Sequence, residues 1–218
     1  MNGKSSGCVL CENPYTGIIT PTKLTDRSRF GNDGAWTNVI AVQLPSGLWV
    51  RQYNGTAKVD LGSNVSLENY TAKTVLLWVK PAAYTGDTRW IYDGGYYDNP
   101  YGDMITLKNS ANEYSLHLRN TDATVASKLD IAYIPDVWIQ IGYSWNGATW
   151  FSVENGVATE NGAAVGTLGC SEHSNVLGAR NGVASYTGYD SLLDICNRAL
   201  SAGEILQRFN QERHFFGV

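Results

Sequence analysis

The chain reads as short apolar runs separated by turn residues. Leu48-Trp49-Val50 and Ala57-Lys58-Val59-Asp60-Leu61 have strand composition. Thr74-Val75-Leu76-Leu77-Trp78-Val79 is nearly continuous in apolar side chains, which predicts a strand covered on both faces, and Pro81 ends it. Met104 to Lys108 is a further candidate strand. Tyr114 to Arg119 alternates, with Tyr114, Leu116 and Leu118 on one side and Ser115, His117 and Arg119 on the other. Val137 to Trp145 runs to Asn146-Gly147, and Thr149 to Val153 runs to Asn155-Gly156. Asn-Gly between apolar alternations predicts hairpins, because both residues tolerate positive φ. Another Asn-Gly stands at Asn181-Gly182. One helix is predicted late in the chain. Ser201-Ala202-Gly203-Glu204 is a capping box, and Ile205, Leu206 and Phe209 supply an apolar face. No linker or repeat interrupts the pattern. The expectation is an all-β, two-sheet antiparallel sandwich or jelly roll with one short C-terminal helix, a single domain over residues 1–218.

Composition narrows the function classes. The 218 residues are 43% hydrophobic and 17% charged, a globular balance, and 13 Tyr and 23 Gly suit strands and tight turns. The net charge of −4, with no run of Lys or Arg, argues against a nucleic-acid surface. No apolar stretch is long enough to span a bilayer. The start at Met1 carries no apolar signal core, which favours a chain that does not use that export route. Cys8 and Cys11 form a C-x-x-C pair, but Cys170 and Cys196 stand 26 positions apart, so a zinc site is poorly supported. Buried thiols, or a disulfide from Cys8 or Cys11 to Cys196, are the other readings.

Several segments resemble laminin-G-like domains of the concanavalin A-like superfamily, in the expected order. Thr25-Asp26-Arg27-Ser28-Arg29-Phe30-Gly31-Asn32-Asp33-Gly34 is similar to the family's early glycine-rich turn. Tyr53-Asn54-Gly55-Thr56 with Val59-Asp60-Leu61-Gly62, the Thr74 to Pro81 strand, and Trp138 to Gly156 follow. Val176-Leu177-Gly178, Tyr186-Thr187-Gly188 and Asn197-Arg198-Ala199-Leu200-Ser201 with Glu204-Ile205 complete the series. The resemblance implies a jelly roll of about a dozen strands that binds glycan or protein, often with calcium. One departure stands out. Where the family carries an "I-D-E" segment, this chain has Asp190-Ser191-Leu192, with Asp194 further on. A role tied to the family's acidic pair does not carry over.

The superfamily also includes β-glucan hydrolases, which place carboxylates at alternate positions of one strand. Glycoside hydrolysis takes two carboxyl groups in register, and no such run exists here, so the chain is read as non-enzymatic. The most suggestive segment is 92–103, with four tyrosines, three aspartates and one asparagine. Sugars stack on aromatic faces while carboxylates and amides hold their hydroxyls. Trp90, Tyr92, Tyr96, Tyr97, Asn99 and Tyr101 are therefore the candidate ligand-binding residues. Asp93, Asp98 and Asp103, and separately Asp26 and Asn32, are candidate calcium ligands, since calcium collects oxygens. Asp26, Asn32 and Asp33 also serve as turn formers. Trp78, Trp138 and Trp150 fit core positions, whereas Trp36, Trp49 and Trp90 fit the surface. The leading expectation is a carbohydrate-binding or adhesion module, extracellular or on a virion surface, partnered by a glycan or a surface protein. The alternative is a structural or decoration protein of a phage particle or other assembly. The apolar tail His214-Phe215-Phe216-Gly217-Val218 either tucks onto the chain's own sandwich or, in that reading, makes a homo-oligomer contact.

Overall fold

The computed structural model describes residues 7–12, 14, 17, 20–68, 70–83, 88–95, 102–107, 112–119, 125–168, 175–180, 183–184 and 186–218, with backbone only at 125–130 and 184. Two antiparallel sheets of eight strands face each other. Sheet one runs Val157–Ala163, Thr149–Glu154, Ile139–Trp145, Lys73–Pro81, Thr187–Cys196, Trp49–Asn54, Ile40–Gln43. Cys8–Cys11 also pairs with Thr187–Cys196, beyond the part taken by Trp49–Asn54. Sheet two runs Val125–Ala132, Glu113–Arg119, Gly102–Leu107, Arg89–Asp93, Asn175–Leu177, Lys58–Gly62, Gly34–Thr37, Lys23–Leu24. This is the jelly-roll sandwich that the strand pattern predicts. Its strands neighbour non-consecutive partners, as closure into two sheets requires.

The core lies between the sheets. Val75, Leu77 and Val79 face it from sheet one, and Leu116 and Leu118 face it from sheet two. The continuous apolar run has its predicted explanation. Leu76 and Trp78 point away from the core into two smaller apolar clusters beneath the C-terminal helix. That helix, Ala202–Glu212, carries the predicted capping box, with Ser201 Oγ accepting from Glu204 N–H and the Glu204 carboxylate accepting from Ser201 N–H. Ile205 is buried as expected, but Leu206 stays exposed. Phe209 stacks on Trp78 at 5.5 Å between ring centroids.

The apolar tail belongs to this same packing. Phe216 stacks on Trp78 at 4.3 Å and meets Trp138 at 4.6 Å. Phe216 thus covers the chain's own sheet, while Phe215 is half-buried and Val218 stays exposed. The two Asn-Gly hairpins differ from one another. Asn155 and Gly156 both take positive φ, as a two-residue primed turn demands. At the other, only Gly147 does, and Asn146 Oδ1 accepts from the N–H groups of Ala148 and Thr149 across a three-residue connection. Asn181-Gly182 lies outside the described residues.

Helix docking carries a pH dependence. Glu212 accepts from Trp78 Nε1 at 2.7 Å, and burial pushes its carboxyl up to about 7, against the opposing pull of that bond and of Arg208. A raised folded value means the group's stability contribution is complete below its unfolded value near 4.5 and is lost as pH rises through 7. Glu212→Gln therefore raises the unfolding free energy at pH 8 by on the order of 2–3 kcal/mol and leaves it little changed at pH 4. Chemical denaturation of both proteins at the two pH values checks this.

Candidate functional site

The three aromatic rings at 90, 49 and 36 occupy different environments. Trp90 is half-buried on Arg89–Asp93, with the Arg180 guanidinium 5.2 Å above its ring. Trp49 and Trp36 line one pocket at a flank of the sandwich, Trp49 from the Trp49–Asn54 strand of sheet one and Trp36 from Gly34–Thr37 of sheet two, beside Lys23 of Lys23–Leu24. The Trp49 strand alternates so that Trp49, Arg51 and Tyr53 share the inward face. Tyr53 reaches the central core, and Trp49 and Arg51 stop at the flank. A pocket of about 270 Å³ opens there. Trp36, Trp49, Arg51, Glu12, Lys23 and Arg27 are among its lining, with Thr20, Thr22 and Thr25 adding hydroxyls.

Hydrogen bonds hold this wall rigid. Trp49 Nε1 donates to Gly17 O at 2.6 Å. Arg51, its side chain only 3% exposed, donates through Nε to Asp190 Oδ1 at 2.6 Å and through Nη1 to Glu12 Oε1 at 2.5 Å. Glu12 Oε2 accepts from Leu193 N–H at 3.1 Å. Burial pushes the Asp190 carboxyl up to about 6, opposed by Arg51. The unusual Asp190-Ser191-Leu192 segment acquires a physical role here. Register slips between Ser191 and Asp194, and Leu192 takes φ 54°, so a bulge separates the two acids. Asp190 pairs with Arg51 and Asp194 pairs with Arg208 of the helix.

Of the residues expected at a ligand surface, Tyr92 is fully buried. Its hydroxyl accepts from Lys73 Nζ at 3.2 Å and donates to Asn175 Oδ1 at 3.1 Å. Asp103 is buried too. Its carboxylate takes Lys73 Nζ at 2.7 Å and a short bond from the Tyr143 hydroxyl. Tyr92 and Asp103 are thus corrected from surface candidates to members of an interior network, in which the Lys73 ammonium is the cation beside Asp103. Asp93 is buried and accepts from Gly95 N–H at 3.1 Å. Tyr96, Tyr97, Asp98, Asn99 and Tyr101 lie outside the described residues.

Asp26 and Asn32 organise the loop at 26–33. Asp26 accepts from the N–H groups of Cys11, Ser28 and Asn32 and from Ser28 Oγ. Asn32 Nδ2 donates to Val9 O at 2.7 Å and to Ser66 Oγ at 2.9 Å. Both side chains take the turn-forming role. Among the described residues no group of three or more His, Cys, Asp or Glu stands placed for a metal ion. Cys8 and Cys196 face each other across paired strands and are disulfide-bonded, while Cys11 is a free thiol. A second cavity, of about 400 Å³, lies against Tyr114, Ile131, Ser152, Glu154, Asn155, Val157 and Thr159. Among the described residues it offers a single aromatic ring, whose hydroxyl already donates to Glu154 at 3.1 Å.

Sequence reasoning placed Trp36 and Trp49 at the surface but missed Glu12, Lys23, Arg27 and Arg51 as their neighbours. The W-x-R-x-Y alternation over 49–53 was the available signal, since it puts Arg51 on the inward face beside Trp49.

Comparison with known proteins gives a family match and structural likenesses. A laminin-G family model described as the concanavalin A-like lectin/glucanases superfamily matches residues 53–206. The sequence matches no curated protein significantly. The binding domain of Paraclostridial Mosquitocidal Protein 1 has a similar structure, with a TM-score of 0.73 and 13% identity over 97% of this chain and 55% of that one. The binding domain of Botulinum Neurotoxin serotype G gives 0.69 and 14%, over 94% of this chain and 51% of that one. The chain thus spans about half the length of these two. Domain 4 of AbnA, a GH43 extracellular arabinanase from Geobacillus stearothermophilus solved with arabinotriose, gives 0.68 and 16%, over 92% of this chain and 97% of that one.

Proposed function

From a chain that belongs to the concanavalin A-like lectin/glucanases superfamily, we propose a non-catalytic module that binds oligosaccharide in the pocket between Trp36 and Trp49. The observation that carries this reading is the pair of indoles brought from opposite sheets to one pocket of about 270 Å³. Indole faces stack on the apolar faces of sugar rings, and the hydroxyls and charged groups around them fix orientation. The full-length likeness to an arabinanase domain solved with arabinotriose supports it. Among the described residues Glu12 is the one carboxylate on the wall, where glycoside hydrolysis takes two. The Cys8–Cys196 disulfide supports an oxidising, extracellular setting.

Calorimetric titration tests the reading, with arabinotriose and a panel of neutral and acidic oligosaccharides as probes. Binding is expected, and Trp49→Ala weakens it about tenfold, the scale of one lost stacking platform. Circular dichroism of the variant should match that of the parent. No binding across the panel, or binding indifferent to Trp49→Ala, contradicts the proposal.

A further inference from the structure

We infer that the Trp36–Trp49 pocket prefers oligosaccharides bearing a carboxylate, such as uronic-acid chains, and that Arg27 reads the carboxylate. This rests on the glycan-binding reading above. The argument is one of hydrogen-bond supply. A neutral sugar presents hydroxyls that both donate and accept, so its site needs acceptors as well as donors. This wall is short of acceptors. Among the described residues Glu12 is its one carboxylate, and both oxygens are engaged, one by Arg51 Nη1 at 2.5 Å and the other by Leu193 N–H at 3.1 Å. Among the described residues no Asp, Asn or Gln side chain lines the pocket, and the hydroxyls of Thr20, Thr22 and Thr25 are its other side-chain acceptors.

Donors are in surplus. Lys23, Arg27 and Arg51 all belong to the wall. Lys23 is paired with Asp33 at 2.5 Å, and the other oxygen of Asp33 accepts from Asp26 N–H at 2.8 Å. Arg27 is exposed and interacts with the Asp33 carboxylate only at longer range, and among the described residues no hydrogen bond or ion pair engages its guanidinium. One buried donor of the same wall, Trp36 Nε1, lacks an acceptor among the described residues. The nearby Asp190 carboxylate, held by Arg51 Nε and the Tyr53 hydroxyl, is buried and is not part of the wall. A ligand that only accepts fits this imbalance, and a carboxylate is such a group. The planar fork of a free guanidinium matches both carboxylate oxygens at once. Net charge is not the reason, because Glu12, Asp190 and Asp33 offset Arg51 and Lys23; the selection comes from the unengaged donors.

Trigalacturonate and its fully methyl-esterified form isolate the carboxylate, since both carry the same sugar rings. Titrated into the whole chain at low salt, the acid is expected to bind about fivefold tighter than the ester, the scale of one partly exposed charge pair. The preference shrinks at 0.5 M salt, as screening requires. Arg27→Gln brings the ratio close to one, and as an exposed substitution it leaves the fold intact. Equal binding of the two forms, or tighter binding of the ester, overturns the inference; if that binding is still weakened by Trp49→Ala, the glycan-binding reading survives alone. Failure of both forms while a neutral glycan binds has the same meaning. Failure of every glycan removes the reading and the inference together.

Discussion

Lys73→Met, with Asp103 left in place, is expected to lower the unfolding free energy by about 3–5 kcal/mol. Both side chains are 1% exposed, and they meet at 2.7 Å between the two sheets. The ammonium also lies 4.5 Å from the Tyr70 ring centroid and 5.6 Å from that of Tyr92. Removing it strands a carboxylate that no solvent reaches. The double variant Lys73→Met with Asp103→Leu removes both charges, and buried pairs replaced by apolar side chains often cost little. It should recover part of the loss, although the Tyr143 and Tyr92 hydroxyls then lose partners. Urea denaturation of the parent, the single and the double variant measures the pattern. A single variant as stable as the parent would show that the pair is solvated and that the sheets do not close as described.

The second large effect concerns the termini. Cys8 and Cys196 lie 188 positions apart, and their bond ties the Cys8–Cys11 strand to the last strand of sheet one. A cross-link over so long a loop removes much freedom from the unfolded chain. Cys196→Ser, or reduction of the parent, is expected to cost about 2–4 kcal/mol and to lower the melting temperature. Adding reductant to the variant should then change nothing further. An unchanged melting temperature in reduced parent protein would contradict the staple's role.

Much of the scaffold was legible in the residues. The run from Thr74 to Val79 announced a strand buried on both sides, and the structure supplies the two coverings, core and helix. The capping box at Ser201 and the primed turn at Asn155-Gly156 are local devices, readable because the chemistry that fixes them sits within four residues. The site was less legible, because it is assembled from segments far apart in sequence. Glu12, Arg51 and Asp190 meet only after three strands pair, so no spacing rule announces them. Tyr92 and Asp103 misled for a related reason. A tyrosine and an aspartate look like surface chemistry until a buried lysine, 30 positions away from Asp103, provides the partner that lets them enter the core. The Asp190-to-Asp194 departure from the family pattern marks a bulge that sends one acid inward to Arg51 and the other outward to Arg208.

The central claim is that sugar sits between Trp36 and Trp49. The seven tryptophans give seven indole N–H signals in a proton–nitrogen correlation spectrum, and each can be assigned by single Trp→Phe substitution. With the tightest glycan of the panel added to saturation, the signals of Trp36 and Trp49 are predicted to shift while those of the buried Trp78, Trp145 and Trp150 stay in place. A spectrum in which Trp36 and Trp49 hold still and Trp90 alone moves would put the ligand elsewhere on the molecule and contradict the account.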